Sequence, residues 1–154
     1  MHVEDRLSEL GLTLPVAAAP AANYVPYIIC QGVVHISGQL PMADGSLTFQ
    51  GKVGQNISED NAIKAAQLCG LNIIAQLKAA CDGDLGRVQR IIRLGGFVNC
   101  VDGFEKQPAI INGASDLMVA AFGERGRHAR AAVGTNALPS VSYTHLTLPT
   151  RSYV

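Results

Sequence analysis

Apolar and polar positions along the chain recur with two periods, one helical and one extended. Val3, Leu7 and Leu10 have helical spacing, and Gly11 stops them. Leu14 to Ala22 is interrupted by Pro15 and Pro20 and reads as an extended connector. Tyr24 to Cys30 and Val33 to Ser37 are β-branched and aromatic, with Gln31-Gly32 between them, which predicts a hairpin. Pro26 makes the first strand an edge or delays its start. Ser37 to Pro41 is predicted to leave the sheet, and Ala43-Asp44-Gly45-Ser46 to turn. A short strand or loop then runs through Phe49, and Gly51 and Gly54 are further breaks.

Asn56 to Cys81 is the best-marked helix. Ser58 is its candidate N-cap, and Glu59 and Asp60 put negative charge on its positive end. Ala62, Ala66, Cys69, Ile73 and Leu77 form one stripe, small residues first, and Gly83 ends it. Val88 to Val101 predicts a strand, with Gly95-Gly96 as a bulge or a close backbone approach. Pro108 to Phe122 predicts a second long helix, with Ile111, Ala114, Ser115, Met118 and Phe122 on one side. His128 to Pro139 reads as a strand. Thr144, Leu146 and Leu148 alternate, so another strand is open there.

The order hairpin, helix, strand, helix, strand predicts an α+β fold with two long helices packed on one face of a mixed sheet. The other face is left bare although its strands carry apolar residues on both sides. Another copy of the chain is the expected cover, and a closed ring the expected form. After Ser142 the alanine-, glycine- and valine-rich character gives way to Thr and Tyr. Residues 1–142 are therefore read as one domain, and 143–154 as a non-native tail replacing the last strand.

Composition narrows the function. Of the 154 residues 48% are hydrophobic and 16% charged, which describes a globular chain and not a disordered one. Twelve basic and twelve acidic residues cancel, and Lys and Arg are scattered along the sequence. There is no Trp, and aromatics are few, so a base-stacking platform and a nucleic-acid partner are not expected. Cys30, Cys69, Cys81 and Cys100 form no CxxC pair and have no nearby His. No metal or cofactor is expected, and each cysteine reads as a small buried hydrophobe in a reducing, cytoplasmic setting. The polar N-terminus is no signal peptide, and no apolar run would span a bilayer.

Arg130 is the candidate anchor. On a strand it shares a face with Ala132 and Gly134, while Ala131, Val133 and Thr135 take the other. A guanidinium beside small residues leaves room for a planar anion, and its fork fits a carboxylate bidentately. An edge-strand arginine that keeps the edge soluble remains the alternative. His128 precedes the arginine and could tune it, and His35 lies on a strand face. Asp102, Asp116 and Glu124 read as solvated charges. Gly95-Gly96 opens no helix and is no phosphate loop.

Tyr24, Gly32 to Pro41 with its Ser37-Gly38-Gln39, Gly51-Lys52-Val53-Gly54, Ala129 to Val133 and Leu138-Pro139 together resemble the RidA family, also called YjgF/YER057c/UK114. Ile111-Asn112-Gly113-Ala114-Ser115 and the run from Arg130 to Pro139 are closer to the branch labelled putative endoribonuclease, L-PSP-like. The resemblance spans about Tyr24 to Pro139. It implies a chorismate-mutase-like fold and a homotrimer with clefts between subunits. It also implies hydrolysis of enamines and imines, such as 2-aminoacrylate, to 2-keto acids and ammonia. Arg130 matches the residue that clamps the substrate carboxylate. Tyr24 matches the tyrosine that closes the pocket, Ser37 and Gly38 match the Ser-Gly pair, and Asn112 loosely matches a polar residue of the second helix. Ala132 stands where the deaminase pattern has a cysteine, and counting from Pro139 puts His145 where it has a water-positioning glutamate. A non-catalytic binding or regulatory protein for small carboxylates is the alternative. A ribonuclease comes third, disfavoured by neutral charge and scarce aromatics.

Overall fold

The computed structural model describes residues 2–20, 22–138 and 144–151, the last of these as backbone. Pro139, Ser142, Tyr143 and the side chain of His145, on which expectations rested, lie outside the described residues.

Helix α1 is Val3–Glu9. Strands β1 (Tyr27–Cys30) and β2 (Val33–Gln39) form the hairpin. Its turn holds Gln31 and Gly32 at φ 50° and 75°, the left-handed pair that matches the twist of tight hairpins. β1 starts directly after Pro26, so the proline costs no ladder bond. A small hairpin follows, β3 (Met42–Ala43) and β4 (Ser46–Leu47). Next come helix α2 (Glu59–Ala80), strand β5 (Arg93–Asn99), helix α3 (Gln107–Phe122) and strands β6 (Ala129–Thr135) and β7 (Thr144–Arg151). The main sheet has the order β1-β2-β7-β5-β6. β5 and β6 run parallel, and the other pairs are antiparallel.

The stripe of α2 is the core. Ala62, Ala66, Cys69, Ile73 and Leu77 are all fully buried, and Ser58 accepts the Asn61 amide at 3.2 Å as the N-cap. Val34 and Ile36 of β2 and Leu94 and Val98 of β5 meet the helices. The opposite sheet face carries Ile28, Phe97 and Val133, which are 57%, 39% and 47% exposed. Both long helices thus cover one face and leave the other bare, as the apolar pattern predicts.

Three expectations change. β5 is shorter than Val88 to Val101, because the backbone before it is tied to the turn after α3, Gly123–Gly126, instead of a strand. The Arg125 Nη1 donates to the Val88 carbonyl at 2.7 Å, and the Ile91 amide donates to the Arg125 carbonyl at 2.8 Å. β2 runs on to Gln39, which pairs with Leu146 after a register shift beyond Ile36, so the Ser37-Gly38-Gln39 stretch stays in the sheet. Cys30 is exposed, since it ends an edge strand, whereas Cys69, Cys81 and Cys100 are buried. Gly96 keeps its register with β6, and a Cβ there would collide with Ile111 of α3. It marks a close approach and not a bulge.

Candidate functional site

Arg130 is the second residue of β6, an edge of the sheet. Register places Arg130, Ala132 and Gly134 beside Leu94, Gly96 and Val98. Leu94 and Val98 are fully buried, so this is the face under the helices. Arg130 therefore reaches toward α3. Its Nη1 donates to Oδ1 of Asn112 at 2.7 Å and to Oγ of Ser115 at 3.2 Å. Asn112 and Ser115 lie three apart on α3, so they face the strand together. Both Nη1 protons are engaged. Among the described residues Nε and Nη2 have no partner, which leaves one edge of an exposed guanidinium open. That edge has the spacing for a two-point carboxylate contact.

The small neighbours have another explanation than the one drawn from sequence. Ala132 is half-buried against the core. A Cβ at Gly134 would stand 2.8 Å from Nε2 of Gln107 and 2.9 Å from Sγ of Cys100. Both are small because α3 and the loop before it pack there. Ligand space is at the solvent edge of Arg130 instead.

His128 closes this corner. Its Nδ1 lies 2.6 Å from the Gly126 carbonyl, a contact that requires the proton on Nδ1. Nε2 lies 3.0 Å from Oγ of Ser115, and in the neutral ring with the proton on Nδ1 it accepts from that hydroxyl. Asn112, Arg130, Ser115, His128 and the Gly126 carbonyl form one connected chain. Sequence reasoning counted Ser115 as part of an apolar stripe. The signal available was a hydroxyl among buried Ile111, Ala114, Met118 and Phe122.

Tyr24, Ser37 and Gly38 sit elsewhere. Tyr24 lies in the bend before β1 and is 49% exposed. Ser37 donates its hydroxyl to the Val25 carbonyl at 2.7 Å and its amide to the Pro26 carbonyl at 2.9 Å, tying the hairpin entrance. Tyr24 and Gly38 line a cavity of about 140 Å³ with Pro26, Leu40, Met42 and Gln76. The connector covers it, held by Nε2 of Gln76 donating to the Ala18 carbonyl at 2.7 Å. Strands β7 and β5 separate β2 from β6. Three strand spacings set β2 on the order of 14 Å from β6, the strand of Arg130. One chain thus brings Arg130 and Asn112 together, with Ala132 on the same face, but not Tyr24, Ser37 or Gly38.

Basic groups scattered in sequence also gather. Arg90, Arg127 and His128 line a cleft of about 540 Å³. Arg127 is matched there by Glu124 at 2.9 Å, and that bond holds its pKa up. Among the described residues no group of three or more His, Cys, Asp or Glu is placed to hold a metal ion. No helix among them is long and apolar enough to cross a membrane. Burial pushes the Cys69 thiol well above its ordinary range, which leaves it unreactive.

Known proteins share this architecture. Protein TCP17 of Trypanosoma cruzi is 46% identical over 140 residues, covering 90% of this chain and 86% of that protein. The crystal structure of Atu1372, a protein of unknown function from Agrobacterium tumefaciens, is 47% identical with a TM-score of 0.93, over 97% of this chain and 92% of that one. A putative endoribonuclease from Shewanella oneidensis MR-1 is 38% identical with a TM-score of 0.94, over 98% and 99%. The model of one family matches residues 4–149, and with these relatives it places the chain in the YjgF/chorismate mutase-like family, described as putative endoribonuclease.

Proposed function

We propose that the protein is a homotrimeric, cytoplasmic enamine/imine deaminase that hydrolyses 2-aminoacrylate-type intermediates to 2-keto acids and ammonia. The observation that carries this reading is Arg130, fixed through Nη1 by Asn112 and Ser115 and open along Nε and Nη2. A well-made pair of that kind with a carboxylate is worth about 1.5–3 kcal/mol. The bare face with Ile28, Phe97 and Val133 supports assembly. Assembly supplies what one chain lacks, by setting the Tyr24 and Gly38 cavity of one copy against the Arg130 of the next.

The test follows ammonia and pyruvate release from an iminopropionate generated in situ. Wild type accelerates release, and Arg130→Ala raises KM or weakens pyruvate binding about 10- to 100-fold. No acceleration, with saturable pyruvate binding lost in Arg130→Ala, supports a non-catalytic binding protein instead. Salt-sensitive cleavage of RNA by nuclease-free protein would support the third reading, for which the Arg90 and Arg127 cleft is the place to look.

We infer also that residues 143–154 replace a native last strand. The change of composition after Ser142 carries this, and Pro149, which cannot donate to a ladder, stands in β7 opposite His35. A source gene encoding Tyr143 to Val154 in frame would refute this.

A further inference from the structure

We propose that the chain carries a second small-molecule site, apart from Arg130, that takes a 2-hydroxy carboxylate between Asn99 and Lys52. It stands independently of the deaminase reading. Asn99 ends β5 and is 4% exposed. Its Nδ2 donates to the Gly51 carbonyl at 2.9 Å. A carbonyl only accepts, so this bond fixes which way the amide points. Oδ1 is left buried, with no hydrogen-bond partner among the described residues. A buried acceptor without a donor is costly, and a ligand that brings the donor recovers that cost.

Asn99 forms one wall of a cleft of about 320 Å³, lined also by Gly51, Lys52, Asn56, Asn136 and Leu138. A water takes about 30 Å³ of the liquid, so the cleft has room for a molecule of several heavy atoms. The loop at its rim supplies the complement to Asn99. The Lys52 amide donates to Oδ1 of Asn56 at 2.7 Å. An N–H only donates, so Asn56 turns its Nδ2 outward, and among the described residues that nitrogen has no partner. A Cβ on Gly51 would collide with the Asn56 amide, so the two asparagines flank one glycine. One offers an acceptor and the other a donor. Lys52 adds a positive charge that is in none of the ion pairs among the described residues. No residue lining the cleft is acidic.

That set selects a ligand class. The carboxylate of a small acid accepts from Nζ of Lys52 and Nδ2 of Asn56. Oδ1 of Asn99 then needs a donor on the same molecule. A neutral hydroxyl brings one proton to one acceptor. An ammonium brings three protons and a charge, with no carboxylate to meet it, and loses more on leaving water. A 2-keto acid has no donor and leaves Oδ1 unpaired. Asn136 follows the last residue of β6, six positions after Arg130, which is roughly 20 Å at the rise of a strand. The two sites therefore do not compete for one ligand.

The experiment titrates lactate, propionate, alanine and pyruvate into the full chain carrying Arg130→Ala, which removes the other anchor. Calorimetry gives affinity, and the side-chain amide signals of Asn56 and Asn99 in heteronuclear NMR give the place. Lactate is expected to bind saturably and to shift both signals. Propionate and pyruvate bind at least about tenfold more weakly, because neither brings a donor to Oδ1. Lys52→Met and Asn56→Asp, added singly, each weaken lactate at least about tenfold. Neither side chain is buried, and the aspartate keeps an acceptor for the Lys52 amide, so the loop stays tied. No saturable lactate binding overturns the proposal and leaves Oδ1 to water. Lactate no tighter than propionate, or alanine tighter than lactate, overturns the ligand class. Lactate binding that survives both substitutions lies elsewhere and overturns the site.

Discussion

The two corners that share the candidate chemistry are built in opposite ways. At the β6 edge, side chains bond to side chains: Arg130 to Asn112 and Ser115, and Ser115 to His128. At the β1-β2 end of the sheet they bond to backbone: Ser37 to Val25, Gln76 to Ala18. The first is an organised set of donors with little shape. The second is an apolar cavity with few free polar groups. An anchor without a pocket and a pocket without an anchor are each half of a site. In the proposed trimer, packing of the bare face on the other side of the sheet would set one copy's cavity beside the next copy's Arg130.

Val133→Asp breaks that arrangement most directly. Val133 is exposed on the bare face, two strand positions from Ala131 and three from Arg130, and it points away from the helices. A charge there is solvated in a lone chain but desolvated in an assembly. The expected outcome in sedimentation is a single-chain mass, with pyruvate affinity down at least about tenfold. A variant that keeps both mass and affinity would make the Arg130 corner a complete site in one chain.

Gly113→Ala attacks only the organised corner. Its Cβ would strike the Ile63 carbonyl of α2, so α3 must move, carrying Asn112 and Ser115 with it. Overpacking of this kind costs about 1–3 kcal/mol. In a chain of this length that lowers Tm by about 2–10 °C. Pyruvate affinity should fall as well, because Arg130 loses its preset acceptors. A lowered Tm with unchanged affinity would show that Asn112 and Ser115 do not prepare the arginine.

These contrasts explain what could be read early. The helices of α2 and α3 were legible because Ser58, Pro108 and the Ala62-to-Leu77 stripe are local signals. So was the Gln31-Gly32 turn. The parallel pairing of β5 and β6 was not, since nothing in either strand names its partner. Arg130 stands out in the sequence for small neighbours that the structure explains otherwise. Its small neighbours serve α3, as Gly134 against Gln107 shows. Ser115 was missed because a hydroxyl in an apolar stripe is ambiguous until the strand that faces it is known. The cleft lined by Arg90 and Arg127 was invisible for the same cause: 37 positions separate them in sequence, and the fold makes them neighbours. Tyr24 and Arg130, joined in one cleft by the resemblance, are apart in one chain, and only the proposed trimer would bring them together.

The smallest expected effect tests the shaped corner. Tyr24 is half-exposed, and among the described residues its hydroxyl has no hydrogen-bond partner. Tyr24→Phe removes that hydroxyl and keeps the ring beside Pro26, Leu40 and Met42. Stability should change by no more than about 0.5 kcal/mol, as for a surface substitution. If the hydroxyl closes over a bound acid, pyruvate affinity falls about two- to tenfold, the range of one net hydrogen bond. Titration calorimetry beside a thermal melt separates the two quantities. Unchanged affinity in Tyr24→Phe, with loss only in Tyr24→Ala, would reduce the tyrosine to a wall of the cavity and leave recognition to the guanidinium edge.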